Sequence, residues 1–249
     1  MVKNKQTAII TGGAQGIGFA IARKLGRIGY NLMLWDLNKI RCIAAVADLQ
    51  KQDIEAQAFE VDISSEDSVV YAFKQVLSQV PQIHVVINAA GIVGPTGIKT
   101  EEVSLNEFSR TCQINLIGSF IITKYSIRAM LPNDYGRILL ISSIAGKEGN
   151  AGMCAYSASK SGVIGLVKAA GKEYADSGIT INALAPATVM TPMVEAMDPI
   201  QVKYMTDKIP MKRCGTLEEV ANISAWVVSS EASFNTGFVF DLTGGRAVY

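Results

Sequence analysis

A tyrosine and a lysine, Tyr156 and Lys160, lie four residues apart in the segment MCAYSASK, which continues into a long helical pattern. Residues with this spacing share one face of a helix. A free tyrosine, with a pKa of about 10, is a poor acid or base at neutral pH, but a neighbouring ammonium favours the phenolate and lowers that pKa. The pair therefore predicts a proton-transferring tyrosine. Taken alone, such a pair also arises often by chance.

A glycine-rich segment, TGGAQGIG at positions 11–18, follows a short apolar run and opens the first helical pattern. Glycines also end strands for steric reasons. In this context, however, they let the backbone approach a pyrophosphate, whose charge the free N–H groups and the helix dipole stabilise. The segment therefore predicts a dinucleotide site, with cofactor contacts at Gly12, Gln15, Gly16, Ile17 and Gly18.

An acidic residue, Asp36, ends the second apolar run, eighteen residues after Gly18. A carboxylate at this position can accept both hydroxyls of the adenosine ribose and repels a 2′-phosphate. We therefore expect NAD as the cofactor. Lys39 and Arg41 are close enough in sequence to leave NADP as the alternative.

Further polar positions end the third and fourth apolar runs, at Asp62-Ile63 and at Asn88 in the segment NAAG. Ligands bind at the carboxyl ends of strands in open α/β sheets, so Asp62, Ile63 and Asn88 are predicted to contact the cofactor. For Asp62 the alternative is a structural acid ahead of a helix that begins near Ser64-Ser65-Glu66.

These positions are tied together by short apolar runs that alternate with helical patterns. Runs without polar alternation indicate strands covered on both faces, as in a parallel sheet built from βαβ units. We therefore predict an α/β fold, a single-domain, doubly wound Rossmann-type sheet over residues 1–249 with helices on both faces. The seven runs are TAIIT, NLMLWD, AQAFEVD, HVVIN, GRILLIS, ITINALA and GFVFDL.

Composition and charge exclude several classes of protein. The 23 Lys and Arg residues balance 22 Asp and Glu, so neither nucleic acid nor an anionic membrane surface is an expected partner. No apolar run is long enough to span a bilayer, and we expect a cytoplasmic location. The four cysteines are far apart and His84 is the only histidine, so no metal site is expected.

One segment, residues 187–216, departs from the regular pattern. It holds three of the seven prolines and five of the nine methionines. Flexible thioether side chains suit a surface that adapts to a ligand, and long insertions in compact domains are usually functional. The segment predicts a substrate lid, with ordinary gap-filling by methionine as the alternative.

The complete set of motifs resembles the short-chain dehydrogenase/reductase family over essentially the whole chain. The matching features are TGxxxGxG, Asp36, NAAG, Asn115 in INL, Ser143 in ISSIAG and YxxxK, in this order. The resemblance implies that Tyr156 is the general acid/base, that Lys160 holds the nicotinamide ribose and that Ser143 bonds the substrate oxygen. It implies that Asn115 positions a water. Val189 and Thr191 are implied to bind the nicotinamide carboxamide and the phosphates.

The chain departs from the family pattern at two places. Pro186-Ala187 stands where the family usually has Pro-Gly, and Thr243-Gly244-Gly245 replaces the usual Asp-Gly-Gly. The helix after Tyr156 carries a stripe of small residues, which indicates close helix packing. The resemblance implies that this helix lies in a subunit interface, so a homo-oligomer, with a tetramer favoured, is expected; a stripe facing the sheet is the alternative. The stripe consists of Ala158, Gly162, Gly165 and Ala169.

The predicted reaction is hydride transfer between NAD(H) and a secondary alcohol or ketone of a small hydroxylated substrate, such as a sugar or sugar acid. An NADPH-dependent 3-oxoacyl-thioester reductase and a catalytically silent dinucleotide-binding module are the alternatives. Glu148, Asn150 and Arg246 are predicted to contact substrate beside Ser143 and Tyr156. The guanidinium of Arg246 would match a substrate carboxylate, with a solvated tail arginine as the alternative.

Overall fold

The computed structural model describes residues 5–247. Seven strands form one parallel sheet in the order β3-β2-β1-β4-β5-β6-β7, which confirms the predicted sheet. The strands are β1 (Thr7–Thr11), β2 (Asn31–Asp36), β3 (Ala56–Glu60), β4 (Val85–Asn88), β5 (Gly136–Ile141), β6 (Ile179–Pro186) and β7 (Val239–Leu242).

Within residues 5–247, ten α-helices connect and cover the strands. A π-helical turn at Gln113–Ile117 lies between α4 and α5. No helix among residues 5–247 is long and apolar enough to cross a membrane. The helices are α1 (Gly16–Arg27), α2 (Lys39–Gln50), α3 (Glu66–Leu77), α4 (Leu105–Cys112), α5 (Gly118–Met130), α6 (Ala145–Glu148), α7 (Cys154–Glu173), α8 (Pro192–Glu195), α9 (Pro199–Asp207) and α10 (Leu217–Val227).

The strands are apolar throughout because both faces of the sheet are buried. Successive residues of β1 show this: Ile9 packs into a core with α3, α5 and α7, and Ile10 packs into a second core with α1, α2 and α10. Both side chains are fully buried. Side chains alternate between the faces of a strand, so a doubly covered strand needs apolar residues at both registers.

Five strand ends differ from the sequence prediction, three of them by one residue and two by two residues. Strand β3 ends at Glu60, paired with Asp36, before the predicted end at Asp62. Strand β7 begins at Val239 rather than Gly237, because Gly237 has a left-handed φ of 69° and the N–H of Phe238 bonds to the side chain of Asn182. The backbone nevertheless stays bonded to β6 here, since Gly237 N–H donates to Ile181 O at 2.7 Å and Ala183 N–H donates to Phe238 O at 2.9 Å.

The topology positions the site. β1 lies between β2 and β4. The strands that follow β1 are added first on one side of it, as β2 and β3, and then on the other side, as β4 to β7, which leaves a crevice at the carboxyl end of β1. The loops after β1 and β4 touch there, since a Cβ at Gly12 would lie 2.8 Å from the amide nitrogen of Ala90. Only glycine permits that approach at position 12, where φ is also 62°.

Candidate active site

The first turns of α7 present the reacting side chains. Nζ of Lys160 lies 5.7 Å from the centre of the Tyr156 ring and donates a 2.7 Å hydrogen bond to the carbonyl oxygen of Ile141, the last residue of β5. Ser143 is the second residue after the end of β5, and its hydroxyl interacts with the phenol of Tyr156. The predicted tyrosine, lysine and serine therefore meet at the carboxyl end of β5.

Burial controls the ionisation of this group. It raises the pKa of Tyr156 above its usual value, and the hydrogen bond with Ser143 offsets this only in part. It lowers the pKa of Lys160 to about 8. The direction for Tyr156 is opposite to the one predicted from the spacing, because desolvation dominates and the Lys160 ammonium bonds to a backbone carbonyl. The phenol is therefore protonated at neutral pH.

Asn115 is fully buried in the π-helical turn between α4 and α5. Its side-chain oxygen accepts from the N–H of Ile92 at 2.9 Å, and its amide donates to Ile92 O at 2.8 Å and to Ser159 Oγ at 3.0 Å. The amide thus fastens the loop after β4 to α7. Asn115 and Lys160 both border Gly91, where a Cβ would lie 2.9 Å from Asn115 Oδ1 and 3.6 Å from Lys160 Nζ. The water-positioning role implied by the family stays a prediction.

The glycine-rich loop forms a cradle at the start of α1. The N-cap residue Gln15 makes no side-chain capping hydrogen bond, so the first N–H groups of α1 are left for an external acceptor. Gly16 has a φ of 54° and faces open space. A Cβ at Gly18 would overlap the carbonyl oxygen of Gly12, which fixes the close turn of the loop. An anion such as a pyrophosphate fits these residues.

Asp36 lies beside this cradle at the end of β2. Its carboxylate accepts from the N–H of Ala14 at 3.2 Å and from the N–H of Asn38 at 2.9 Å. Of the two nearby cations, one is paired with an acid and the other lies beside the cradle. Lys39 pairs with Glu60 at 3.7 Å, and Arg41 donates to the side chain of Gln15 at 3.1 Å.

The polar residues after β3 and β4 have internal partners. Oδ1 of Asp62 accepts from both the N–H and the hydroxyl of Ser64, at 2.9 and 2.6 Å. Ser65, rather than Asp62, caps α3. Ile63 is buried, 6% exposed, and packs near Gly118 at the start of α5.

The Asn88 side chain is held between two hydroxyls, accepting from Thr11 and donating to Ser119 at 2.9 Å. This amide therefore ties β1, β4 and α5 together. The predicted cofactor contacts at Asp62, Ile63 and Asn88 stay predictions.

The lid segment, residues 187–216, begins and ends at a short backbone pairing. Val189 bridges Gly215, with Met190 N to Gly215 O at 2.8 Å and Gly215 N to Thr188 O at 2.9 Å. Between these ends, the segment contains the helices α8 and α9, and Thr191 caps α8. The sequence predicted an irregular segment, but Pro192 and Pro199 each start a helix, a position that proline favours.

The three predicted substrate contacts lie together. Nε of Arg246 donates to Glu148 Oε2 at 2.9 Å, and Nη2 donates to Asn150 Oδ1 at 3.0 Å. The backbone N–H of Asn150 in turn donates to Ser157 Oγ, beside Tyr156. A second ion pair, Lys147 with Asp241 at 2.8 Å, links the same region to β7.

Sequence reasoning missed several of these supporting contacts. Ser159, Thr11, Ser119 and Asp241 carry no spacing signal, because each bonds to a residue that is distant in the chain. No group of three or more metal-ligating side chains occurs within residues 5–247.

The arrangement suits chemistry at a substrate oxygen. Tyr156 can give or take a proton at that oxygen, Ser143 can donate a hydrogen bond to it, and the charge of Lys160 favours negative charge nearby. A nicotinamide, when bound, supplies or accepts the hydride at the adjacent carbon. The cradle follows β1, which is next to β4, and Asp36 ends β2, which is next to β1. Both lie on the same edge of the sheet as Ser143.

Comparison with known proteins gives concordant results. Residues 12–246 match the family described as Enoyl-(Acyl carrier protein) reductase. The chain is 40% identical to a 2-dehydro-3-deoxy-L-rhamnonate dehydrogenase (NAD(+)) of Sphingomonas sp. strain SKA58, covering 97% of this chain and 95% of the relative. It is 34% identical to the 3-oxoacyl-[acyl-carrier-protein] reductase FabG of Aquifex aeolicus, covering 96% of each.

Solved structures agree in fold. An NAD⁺-bound xylitol dehydrogenase superimposes with a TM-score of 0.92 at 26% identity, covering 98% of this chain and all of that chain. The family match and both relatives span nearly the whole chain, and the catalytic motifs lie at one site. The protein belongs to the short-chain dehydrogenase/reductase family and is a dinucleotide-dependent oxidoreductase.

Proposed function

We propose that this enzyme uses NAD to oxidise a secondary alcohol of a small hydroxylated acid of the sugar-acid class. The single observation that carries the cofactor assignment is the Asp36 carboxylate at the end of β2, held beside the glycine-rich loop by Ala14 and Asn38. A carboxylate there accepts ribose hydroxyls and repels a 2′-phosphate. The pairing of Lys39 with Glu60 supports the same choice.

The substrate class is supported by the 40% identical relative, whose name gives a deoxy-keto sugar acid as its substrate and NAD⁺ as its oxidant. Three polar side chains near Ser143, those of Glu148, Asn150 and Arg246, form a hydrogen-bonding group suited to a hydroxylated ligand. In oxidation, the Tyr156 phenolate takes the hydroxyl proton, and Ser143 holds the oxygen.

The second candidate is an NADPH-dependent 3-oxoacyl-thioester reductase, favoured by the 34% identity to FabG. Asp36 opposes it, because the 2′-phosphate of NADPH would meet a carboxylate. The two candidates predict opposite cofactors and opposite preferred directions of reaction.

A substrate panel separates them. Purified enzyme with NAD⁺ is tested against 2-dehydro-3-deoxy-L-rhamnonate, other sugar acids, sugars, polyols and simple secondary alcohols, and with NADPH against an acetoacetyl thioester. We expect NADH formation to be fastest with a sugar acid. Faster oxidation of NADPH by the thioester than any NAD⁺-dependent reaction would refute the proposal.

We also propose that the enzyme is a homo-oligomer, with a tetramer favoured, assembled through α7. Its Val163 and Val167 are buried in the core of the subunit, whereas Ala158, Gly165 and Ala169 of the small-residue stripe are exposed, so the stripe does not face the sheet. Exposed apolar side chains on the neighbouring α5 region, Ile117 and Phe120, extend this surface. Light scattering after size-exclusion chromatography should give about four times 26.7 kDa; a monomer would contradict the proposal.

A further inference from the structure

The lid segment and the C-terminal residues meet at one tight contact. The N–H of Met211 donates to the carbonyl oxygen of Gly244 at 3.2 Å. A Cβ at Gly244 would lie 2.7 Å from Ile209 Cγ2, and the φ of Gly244 is 59°. Lys208 precedes this contact by one residue, and Arg246 follows it by two. The packing therefore brings two cations of the chain to the same side of the site.

Arg246 is anchored but retains hydrogen-bonding capacity. Its side chain is 11% exposed and is held by Glu148 and Asn150, which follow the catalytic Ser143 by five and seven residues. Both bonds use Nε and Nη2. Nη1 donates to no residue in the part of the chain that the structure describes. A guanidinium held in this way is a preorganised donor at the wall of the site.

Lys208 and Tyr204 extend this group from the lid. Nζ of Lys208 donates to the Tyr204 hydroxyl at 2.8 Å and lies 4.2 Å from the ring centre. The hydrogen bond from Lys208 and the positive charge of Lys208, followed by the charge of Arg246, lower the pKa of Tyr204, so both cations lie within electrostatic range of the Tyr204 hydroxyl. Within α9 no residue is buried, so the polar groups of this helix are open to solvent.

The charges of these groups do not cancel. Arg246 is balanced by Glu148, and Lys203 is balanced by Asp207 one helical turn away at 2.7 Å. Lys208, in contrast, forms no salt bridge with any carboxylate among residues 5–247, and its hydrogen-bond partner is a neutral phenol. This edge of the lid therefore carries an uncompensated positive charge close to the Arg246 donor, which favours an anionic ligand.

We propose that Lys208 and Tyr204 of the lid, together with Arg246, bind the carboxylate of the substrate. This inference rests on the proposed sugar-acid dehydrogenase function and adds the residues that select the acid. Lys208 supplies the unpaired charge, Tyr204 places the ammonium and offers its hydroxyl, and Arg246 supplies the fixed donor. Closing the lid on a substrate held near Ser143 would bring the carboxylate between two cations.

The test compares an acid with its uncharged form. The probes are 2-dehydro-3-deoxy-L-rhamnonate and its methyl ester, each with saturating NAD⁺. Lys208→Gln is the test variant. Lys203→Gln is the matched control, because it removes the same charge from the same helix at a residue already paired with Asp207. Melting temperatures and NADH affinity show whether each variant is folded and keeps its cofactor site.

We expect Lys208→Gln to raise the KM for the acid by about tenfold, as expected for a lost charge-assisted hydrogen bond. Its kcat, its NADH affinity and its KM for the ester should not change, and Lys203→Gln should resemble the parent enzyme. Tyr204→Phe should show a smaller rise in KM for the acid.

Four outcomes would contradict the inference. Equal changes in KM for Lys208→Gln and Lys203→Gln, or equal changes for acid and ester, would overturn the inference and leave the proposed function intact. A parent enzyme that prefers the ester would do the same. A parent enzyme that oxidises no sugar acid of the panel with NAD⁺ would refute the proposed substrate class, and the inference with it; if another sugar acid of the panel is oxidised faster, that acid and its methyl ester are the probes.

Discussion

Asn115, Ser143 and Lys160 in the catalytic region are 0%, 8% and 6% exposed, and each bonds to backbone groups of another element or loop. In the lid, α9 contains no buried residue, and a cavity of about 360 Å³ lies where the lid ends against β7 and the residues after it. The catalytic region is therefore fixed by the same packing that folds the sheet. Helix α9 of the lid can therefore change its side chains at little cost in folding, which suits a part of the enzyme that selects the substrate.

The largest effect expected in the catalytic region comes from Tyr156→Phe. The substitution removes the transferable proton and keeps the ring that packs beside Lys160. Turnover should fall by at least about a hundredfold, the low end of an acid/base contribution, while NADH still binds. Tyr174→Phe, at the other end of α7, is the control and should be as active as the parent enzyme. A Tyr156→Phe enzyme with most of its activity would remove Tyr156 from the mechanism.

Lys160→Met separates catalysis from stability in the same region. Burial lowers the pKa of Lys160 from 10.5 to about 8, so Lys160 is still mostly charged at pH 7 but holds that charge less favourably in the folded protein than in the unfolded chain. We expect turnover to fall at least about tenfold. The free energy of unfolding should rise, by at most roughly 3 kcal/mol at 1.36 kcal/mol per pKa unit.

The sign follows from proton linkage. Between pH 8 and 10.5 the unfolded state binds more protons at Lys160 than the folded state does. The amount by which Lys160 lowers the free energy of unfolding therefore diminishes as the pH rises through this range. Denaturant unfolding of the parent and of Lys160→Met at pH 7 and pH 10 measures the change in the free energy of unfolding at each pH. Lys168→Met is the control, because Lys168 is exposed on the same helix. A Lys160→Met protein less stable than the parent at pH 7 would show that the ammonium stabilises the fold.

The fold and the reaction class could be predicted from sequence because they depend on local patterns. Apolar runs gave all seven strands, and the glycine loop and YxxxK were found at the predicted edge of the sheet. The pairing of Arg246 with Glu148 could not be predicted, since 98 residues separate them. The predicted direction of the Tyr156 pKa shift was also wrong, because spacing shows a nearby lysine but not the desolvation around the phenol.

The direction in which the pKa of Tyr156 is shifted can be measured by ultraviolet titration. Burial raises the pKa of Tyr156, so the difference in tyrosinate absorbance between the parent protein and Tyr156→Phe should develop only above about pH 10 without cofactor. Because the phenolate is the base in oxidation, turnover in that direction should rise with pH. A difference spectrum already complete at pH 8 would show that Lys160 outweighs desolvation.

A smaller effect is expected where the lid joins α10. Thr216 caps this helix by accepting from Glu219 N at 3.1 Å, and Glu219 in turn binds Arg213 at 2.6 Å. Thr216→Ala should lower the free energy of unfolding by about 1 kcal/mol, measured by urea unfolding, with kcat unchanged. A loss of turnover as large as that of Lys160→Met would mean that the two regions act as one unit.

The central claim is that the buried catalytic region carries NAD chemistry, and its most direct test is the cofactor preference of the unmodified enzyme. We predict that kcat/KM with NAD⁺ exceeds that with NADP⁺ by about tenfold or more, equivalent to roughly 1.4 kcal/mol, and that Asp36→Ala narrows the difference. Equal use of the two cofactors by the unmodified enzyme would contradict the account.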